Sequence, residues 1–242
     1  MDLESYSFTS APRAQTYHAH VVHELGLAIV SGKLAENSIL PGDGELMKQF
    51  DVSRTVLREA MKTLAGKGLV LPKARIGTRV MPRDHWRLFD ADVLVWHSEA
   101  GLDSRFFESL SELRLAIEPA AAALAAARHT DKDVKTLQDC VSKMSKAETN
   151  SDFVESDLAF HLAVASASGN PFMQSISALI EVALVSSLTF SSPVSNPPLF
   201  EKSIHDHQAI ADAIASGDQD SARDRMRLVI EQASNKAKQE MS

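Results

Sequence analysis

Apolar residues recur at helical spacing along most of the chain. From Tyr17 to Ser31, the side chains of Val21, Val22, Leu25, Ala28 and Ile29 share one side of a helix, which the Ser31-Gly32 pair ends. A Pro41-Gly42 turn opens Asp43 to Phe50, where Leu46, Met47 and Phe50 make one apolar edge. Ser53 is placed to cap a third helix reaching about Ala65, whose Leu57, Ala60, Met61 and Leu64 fall at i, i+3, i+4 and i+7. Past Gly66-Lys67-Gly68 the period shortens. Leu69 to Leu71 reads as a strand, Pro72 to Gly77 as a tip and Thr78 to Met81 as a return strand. Three helices followed by a β-hairpin is the order of a winged helix-turn-helix, here over residues 17–82. Met1 to Thr16 carries no such pattern and is expected to be a flexible amino-terminal segment.

Pro82 interrupts the chain, and Asp84 to Ala100 is predicted as a connecting helix within a linker spanning residues 83–102. Its Trp86, Leu88, Val93, Leu94 and Trp96 are expected to pack between two units. Further helices are predicted over Ser104–Arg128, Asp131–Glu148, Asp152–Ser168, Pro171–Thr189, Leu199–Ser216 and Asp218–Ala237. No strand is needed there, so residues 103–240 read as an all-α helical bundle long enough to enclose a pocket. The fold class is mainly α.

Composition agrees with this reading: 44% hydrophobic and 24% charged residues suit a globular chain, and 6% aromatic content argues against a sandwich or barrel. The single Cys140 forbids an intrachain disulfide and fits a reducing compartment. The polar start lacks the features of a secretion signal, and no apolar stretch reaches the roughly 20 residues of a membrane span, so a cytoplasmic location is expected.

Charge changes the picture more. The net −7 is unevenly spread: residues 1–83 hold 11 Lys+Arg against 8 Asp+Glu, whereas the remainder is strongly acidic. Between Ser53 and Arg83 eight cations face one acid, Glu59, a density suited to phosphates. Arg54, Arg58 and Lys62 fall four apart on the polar side of the third helix, the layout of a recognition helix whose arginines can bind guanine bidentately. Lys73 and Arg75 in the hairpin are placed to touch phosphates or a minor groove.

The Asp152–Ser168 segment is apolar on nearly every side yet carries Asp157 and His161 on one face. A buried carboxylate needs compensation, so the two either pair structurally or join a ligand or metal site. Arg114, in the apolar run Leu113 to Ile117, either grips a ligand carboxylate or pairs with Glu118 four residues on. His207 opens a further apolar run ending at Ile214.

The amino-terminal half resembles the GntR family of bacterial transcription regulators through Leu40-Pro41-Gly42-Asp43-Gly44-Glu45-Leu46, Phe50 to Ala60, Leu64 to Leu69 and Gly77-Thr78. That resemblance implies that Ser53, Arg54, Thr55 and Arg58 contact operator DNA. Gly44 departs from it, since relatives often carry a longer polar side chain there. The second half is similar to the helical FCD effector domain of the FadR subfamily. The supporting runs are Glu112-Leu113-Arg114 with Ile117-Glu118-Pro119, Asp157 to His161 with Gly169-Asn170-Pro171, and Asp206 to Ile210 with Ala213-Ile214. The likeness extends over about Tyr17 to Ala237.

In that subfamily an Asp and three histidines commonly hold a divalent metal, often zinc or nickel. Asp157, His161 and His207 match three of the four, and Val229 stands at the fourth position. Two arrangements remain open. Either the three ligands and ligand oxygens hold a metal, or Arg114, His161 and His207 bind an anion directly with Asp157 accepting from hydroxyls. The expected function is that of a ligand-responsive DNA-binding regulator, a homodimer on double-stranded operator DNA, released by a small organic acid. Likeness to sugar-acid-responsive members in the Trp86–Trp96 block and at Val229 points to aldonates. A zinc hydrolase using Glu118 or Glu181 as base and a ligand-insensitive architectural DNA-binding protein are the alternatives.

Overall fold

The computed structural model describes residues 16–73, 75–101, 104–176, 179–185 and 193–241. The chain divides into two compact units, Met1–Leu102 and Asp103–Ser242. The segment expected to be flexible lies, up to residue 15, outside the described residues.

In the first unit, α1 (Tyr17–Val30) starts where the Thr16 hydroxyl accepts from the Ala19 amide, and it buries Val21, Val22, Leu25, Ile29 and Val30. After α2 (Asp43–Phe50), Asp51 turns the chain in a left-handed conformation, φ 50°. The helix α3 (Arg54–Gly66) begins at Ser53, whose hydroxyl accepts from the Val56 amide at 3.4 Å, and its Leu57, Ala60, Met61 and Leu64 enter the core. The spacing read from the sequence thus sets which face of α3 is buried and leaves the cations on the other.

Strands β1 (Val70–Lys73) and β2 (Gly77–Val80) pair antiparallel, Val70 with Val80 and Lys73 with Gly77. The hairpin is therefore longer than expected, and Pro72 lies inside a strand. Its missing N–H costs nothing because β1 is an edge; β2 makes its other hydrogen bonds with the segment before α2, where the Leu40 amide donates to the Thr78 carbonyl.

The block Trp86 to Trp96 does not behave as predicted. Residues Arg83–His85 form a 3-10 turn, and α4 is confined to Ala91–Glu99 because Asp90 caps it, accepting from the Asp92 and Val93 amides. Trp86, Val93 and Trp96 belong to the core of the first unit, and the Trp86 indole N–H donates to the Met81 carbonyl at 2.9 Å. Lys67, at the end of α3, holds Asp90 at 2.6 Å and Asp92 at 2.7 Å, tying the start of α4 to α3. The Trp96 ring lies directly over Gly26 of α1, leaving no room for a β-carbon, which would fall 2.6 Å from the ring. A large apolar residue expected at a junction has instead found the one position on α1 without a side chain.

In the second unit the long helix α5 (Ser104–Arg128) packs against α7 (Asn150–Ala167), α10 (Pro197–Ala215) and α11 (Gln219–Met241), and α6 (Asp131–Met144) packs on α7 and α10. Capping boxes of Thr130 with Asp133 and Thr149 with Asp152 fix the starts of α6 and α7. Asp152 is thus the third residue of α7 and not its first, and α6 stops short of the predicted Glu148. The predicted continuous helix over Pro171–Thr189 is broken. After α8 (Pro171–Gln174), Ser175 and Ile176 turn, and residues 179–185 form α9; residues 177–178 and 186–189 lie outside the described residues. Phe172 of α8 is exposed, so this turn lacks the buried face that would extend it.

Replacing Gly26 with alanine should force Trp96 from its seat and lower the stability of the first unit by about 1 to 3 kcal/mol. Denaturant unfolding followed by tryptophan fluorescence measures it, and an unchanged midpoint would show that the ring is not held there.

Candidate functional site

In the first unit, residues Ser53, Arg54, Thr55 and Arg58 are all exposed at the amino-terminal part of α3. Ser53 already uses its hydroxyl on the Val56 amide, which fixes the side chain at the helix start. Among the described residues neither Arg54 nor Arg58 has an ion-pair partner, so both guanidinium forks are available, whereas Lys62 is held by Glu59 at 2.7 Å. Lys73 closes β1 and Arg75 occupies the tip at φ 65°, both exposed. Non-glycine residues seldom adopt that conformation, so the turn holds Arg75 outward at some backbone cost.

In the second unit, α5, α7 and α10 bring ionisable groups together in the interior: Arg114 and Glu118 from α5, Asp157 and His161 from α7, and His207 from α10. All five are buried. Arg114 pairs with Glu118 through its Nε, and the other Glu118 oxygen lies 2.5 Å from His161 Nδ1. Asp157 Oδ1 lies 2.8 Å from His207 Nε2 and 3.8 Å from His161 Nε2. His207 Nδ1 faces the Ser203 carbonyl at 2.7 Å, an approach that only a protonated nitrogen can make.

These contacts order the charges. Burial would raise the Glu118 carboxyl, yet the charge of Arg114 and the contact with His161 hold it down to about 2. Burial likewise opposes ionisation of Asp157 and His207, but each overrides it for the other: the Asp157 carboxyl is held below, and the His207 imidazole above, its ordinary value.

The donor set suits a cation. With Nδ1 of His161 turned to Glu118 and Nδ1 of His207 turned to a carbonyl, both Nε2 atoms point toward the Asp157 carboxylate. His161 Nε2 is buried and has no hydrogen-bond partner among the described residues. The donor atoms of Asp157, His161 and His207 lie within 4.8 Å of one another, and lone pairs directed at a carboxylate require a proton or a metal between them. The residues therefore fit a divalent metal with three protein ligands.

The cluster opens into a cavity of about 90 Å³, room for several water molecules. Arg114, Asp157, His161 and His207 all line it, so the predicted effector residues converge. Phe153, Leu184 and Val229 supply apolar wall, and Val229 thus faces the cavity from the place where a fourth histidine was sought. Sequence reasoning weighed Glu118 only as a partner of Arg114 or as a base, and overlooked its hold on His161. The Arg114–Glu118 spacing of four residues could be read in advance; the reach from α5 to α7 could not.

Comparison with known proteins accords with this geometry. Residues 18–80 match the family described as bacterial regulatory proteins, gntR family, and residues 109–232 match the FCD domain. The uncharacterized HTH-type transcriptional regulator YieP of Escherichia coli is 35% identical, over 86% of this chain and 90% of that protein. The galactonate operon transcriptional repressor of the same organism is 32% identical, over 90% and 96%. A solved structure of Lar, which controls the expression of the Listeria monocytogenes agr system, shares the fold with a TM-score of 0.63 at 22% identity, over 93% of this chain and 98% of that one. The chain belongs to the GntR family of transcription regulators and carries an FCD domain. Its relatives are regulators and not enzymes, which sets aside the hydrolase alternative. No helix among the described residues is long and apolar enough to cross a membrane.

Glu118→Ala should leave a guanidinium and an imidazole buried without their counter-ion, and cost about 3 to 5 kcal/mol of stability in urea unfolding. Glu118→Gln, which keeps an acceptor for Arg114, should cost less. Equal losses for the two would deny the carboxyl site its organising role.

Proposed function

We propose that the protein is a ligand-responsive repressor that binds operator DNA as a homodimer and is released by a small organic acid of the sugar-acid class, a galactonate-like aldonate. The observation that carries this reading is the cluster of Arg114, Asp157, His161 and His207 lining an interior cavity, with a buried imidazole nitrogen free to bind. An apolar ligand would leave these groups desolvated and unused. The similarity to a galactonate operon repressor supports both the ligand class and the sign of the response.

On DNA, Arg54 and Arg58 would reach guanine edges in the major groove, each good bidentate pair discriminating by about 1 to 3 kcal/mol. Ser53 and Thr55 would join them at the start of α3, and Lys73 and Arg75 would touch phosphates or the minor groove. Two copies of α3 would read two half-sites. In the effector domain, Asp157, His161 and His207 would hold a divalent cation, zinc or nickel, which when bound supplies positive charge for the acid's carboxylate. Glu118 and the Ser203 carbonyl keep the two imidazoles turned toward it, and Arg114 adds a second cation at the same wall.

The metal and a proton compete for His207. Its imidazole is raised above the ordinary value by Asp157, so the metal-free pairing is strongest below about pH 6.5 and fades as pH rises through the folded-state value. Zinc binding should therefore release a proton and weaken as pH falls, which titration calorimetry in two buffers of different ionisation enthalpy will read. Zinc binding without proton release at pH 6.5 would contradict this pairing.

The whole reading is tested with DNA from upstream of the protein's own gene. In fluorescence anisotropy, D-galactonate should lower operator affinity roughly 5- to 150-fold, the span of a coupling of about 1 to 3 kcal/mol. Arg54→Ala and Arg58→Ala should lose preference for the operator over random duplex yet keep their stabilisation by galactonate. Arg114→Ala, once thermal melting shows it folded, should bind the operator without responding. Release of that variant at the normal acid concentration would sink the pocket assignment, and operator affinity indifferent to every sugar acid would leave only a constitutive DNA-binding protein.

A further inference from the structure

Beyond the buried cluster, the same cavity has a second polar end. Lys202, on α10, reaches across to α11, with Nζ 2.6 Å from the Gln232 side-chain oxygen and 2.5 Å from Asp206 Oδ2. Lys202, Asp206 and Gln232 all line the cavity. The two ends differ in depth. The side chains of His161, His207 and Asp157 are 0%, 3% and 6% exposed, whereas Lys202 is 48% exposed, so the latter group stands at the mouth.

Helix geometry sets the distance between these ends. Helices α10 and α11 are neighbours joined by the short turn at Ser216–Asp218, and Lys202 and Gln232 face each other across the pair. Lys202 and His207 lie five positions apart on α10, about 7 Å along the axis at ~1.5 Å per residue. Between the poles the wall is apolar, formed by Phe153, Leu199 and Val229.

Charge distinguishes the ends as well. The inner end gathers imidazoles and a guanidinium matched by Glu118 and Asp157, and with a divalent cation held there it would suit a carboxylate. At the mouth the Lys202 charge is matched by Asp206, so the group is close to neutral and offers an ammonium donor beside a carboxamide that both donates and accepts. Such a set matches hydroxyls, which also donate and accept.

We propose that Lys202 and Gln232 are specificity-determining residues that read the hydroxylated tail of the effector, selecting acids whose chain of about five or six carbons spans from the buried cluster to the mouth. This rests on the preceding reading that an organic acid occupies the cavity, and deepens it by assigning the tail a receptor. The contact between Lys202 and Gln232 is the placeholder that tail hydroxyls would replace, which also links acid binding to the pairing of α10 with α11.

The test is a binding series on the full-length protein, loaded with zinc, with thermal shift and calorimetry against glycerate, threonate, xylonate and galactonate, and with hexanoate as a tail of equal length lacking hydroxyls. Wild-type protein should bind galactonate roughly 10-fold or more tightly than glycerate, the step appearing at five to six carbons, and should gain nothing from hexanoate. In Gln232→Leu and, independently, Lys202→Met, the ratio of the glycerate to the galactonate dissociation constant should collapse toward one. Ratios equal to wild type in both variants overturn the proposal while leaving an acid-binding pocket standing, as would hexanoate binding as well as galactonate. Equal weakening of every acid would show the pair to be structural and also overturn it. If no acid in the series binds at all, the underlying reading fails together with this one.

Discussion

The interior of the helical unit depends on one constraint: five ionisable side chains buried together must neutralise each other. Glu118 sits between the Arg114 guanidinium and the His161 imidazole, and Asp157 sits against His207. An unpaired charge in such a place would cost several kcal/mol, so none of the five can be removed without exposing its partner to that penalty. The arrangement is nevertheless incomplete. Among the described residues His161 Nε2 has no hydrogen-bond partner, its nearest acceptor being Asp157 Oδ1 at 3.8 Å. That unfilled valence, together with the cavity it opens on, is what would let a structural cluster serve as a binding site.

The first unit solves the opposite problem. Arg54 and Arg58 stay in water, without an ion-pair partner among the described residues, on the outer face of a helix whose inner face is held by Leu57, Ala60, Met61 and Leu64. The block around the two tryptophans locks this helix in place, since Lys67 at its end clamps Asp90 and Asp92 while Trp96 seats on Gly26 of α1. A rigid scaffold with free charges suits nucleic-acid recognition, in which the side chains must meet base edges without being held by the protein's own acids.

Much of this was legible in the sequence where the signal is local. The period of α3, the Ser53 cap and the hairpin after Gly68 come from spacings of a few residues, and each appears in the structure with its boundaries shifted by one or two positions. The buried Asp157–His161 pair was legible for a different reason: two ionisable residues on an all-round apolar helix demand compensation whatever the fold. What escaped was non-local. That Trp96 would rest on Gly26 depends on α1 and α4 meeting at a glycine, and that Glu118 would hold His161 depends on α5 and α7 crossing at one depth. The break after Gln174 is not legible in the sequence, because apolar content there does not mean a buried face: Phe172 is exposed to solvent.

The pattern at Val229 bears on how the pocket divides its tasks. A fourth imidazole there would complete a metal shell by the protein alone, whereas a valine leaves the cluster with three donors and lines the cavity with apolar surface. A metal held by three protein ligands keeps open positions that only solvent or ligand oxygens can fill, so metal and acid would each strengthen the binding of the other. On the proposed reading the same reciprocity would govern DNA: whatever factor an acid took from operator affinity, the operator would take from acid affinity. A site that already held its metal tightly would gain little occupancy from the acid and a weaker one would gain more, so on the proposed reading valine at position 229 would tie metal occupancy to the arrival of the effector.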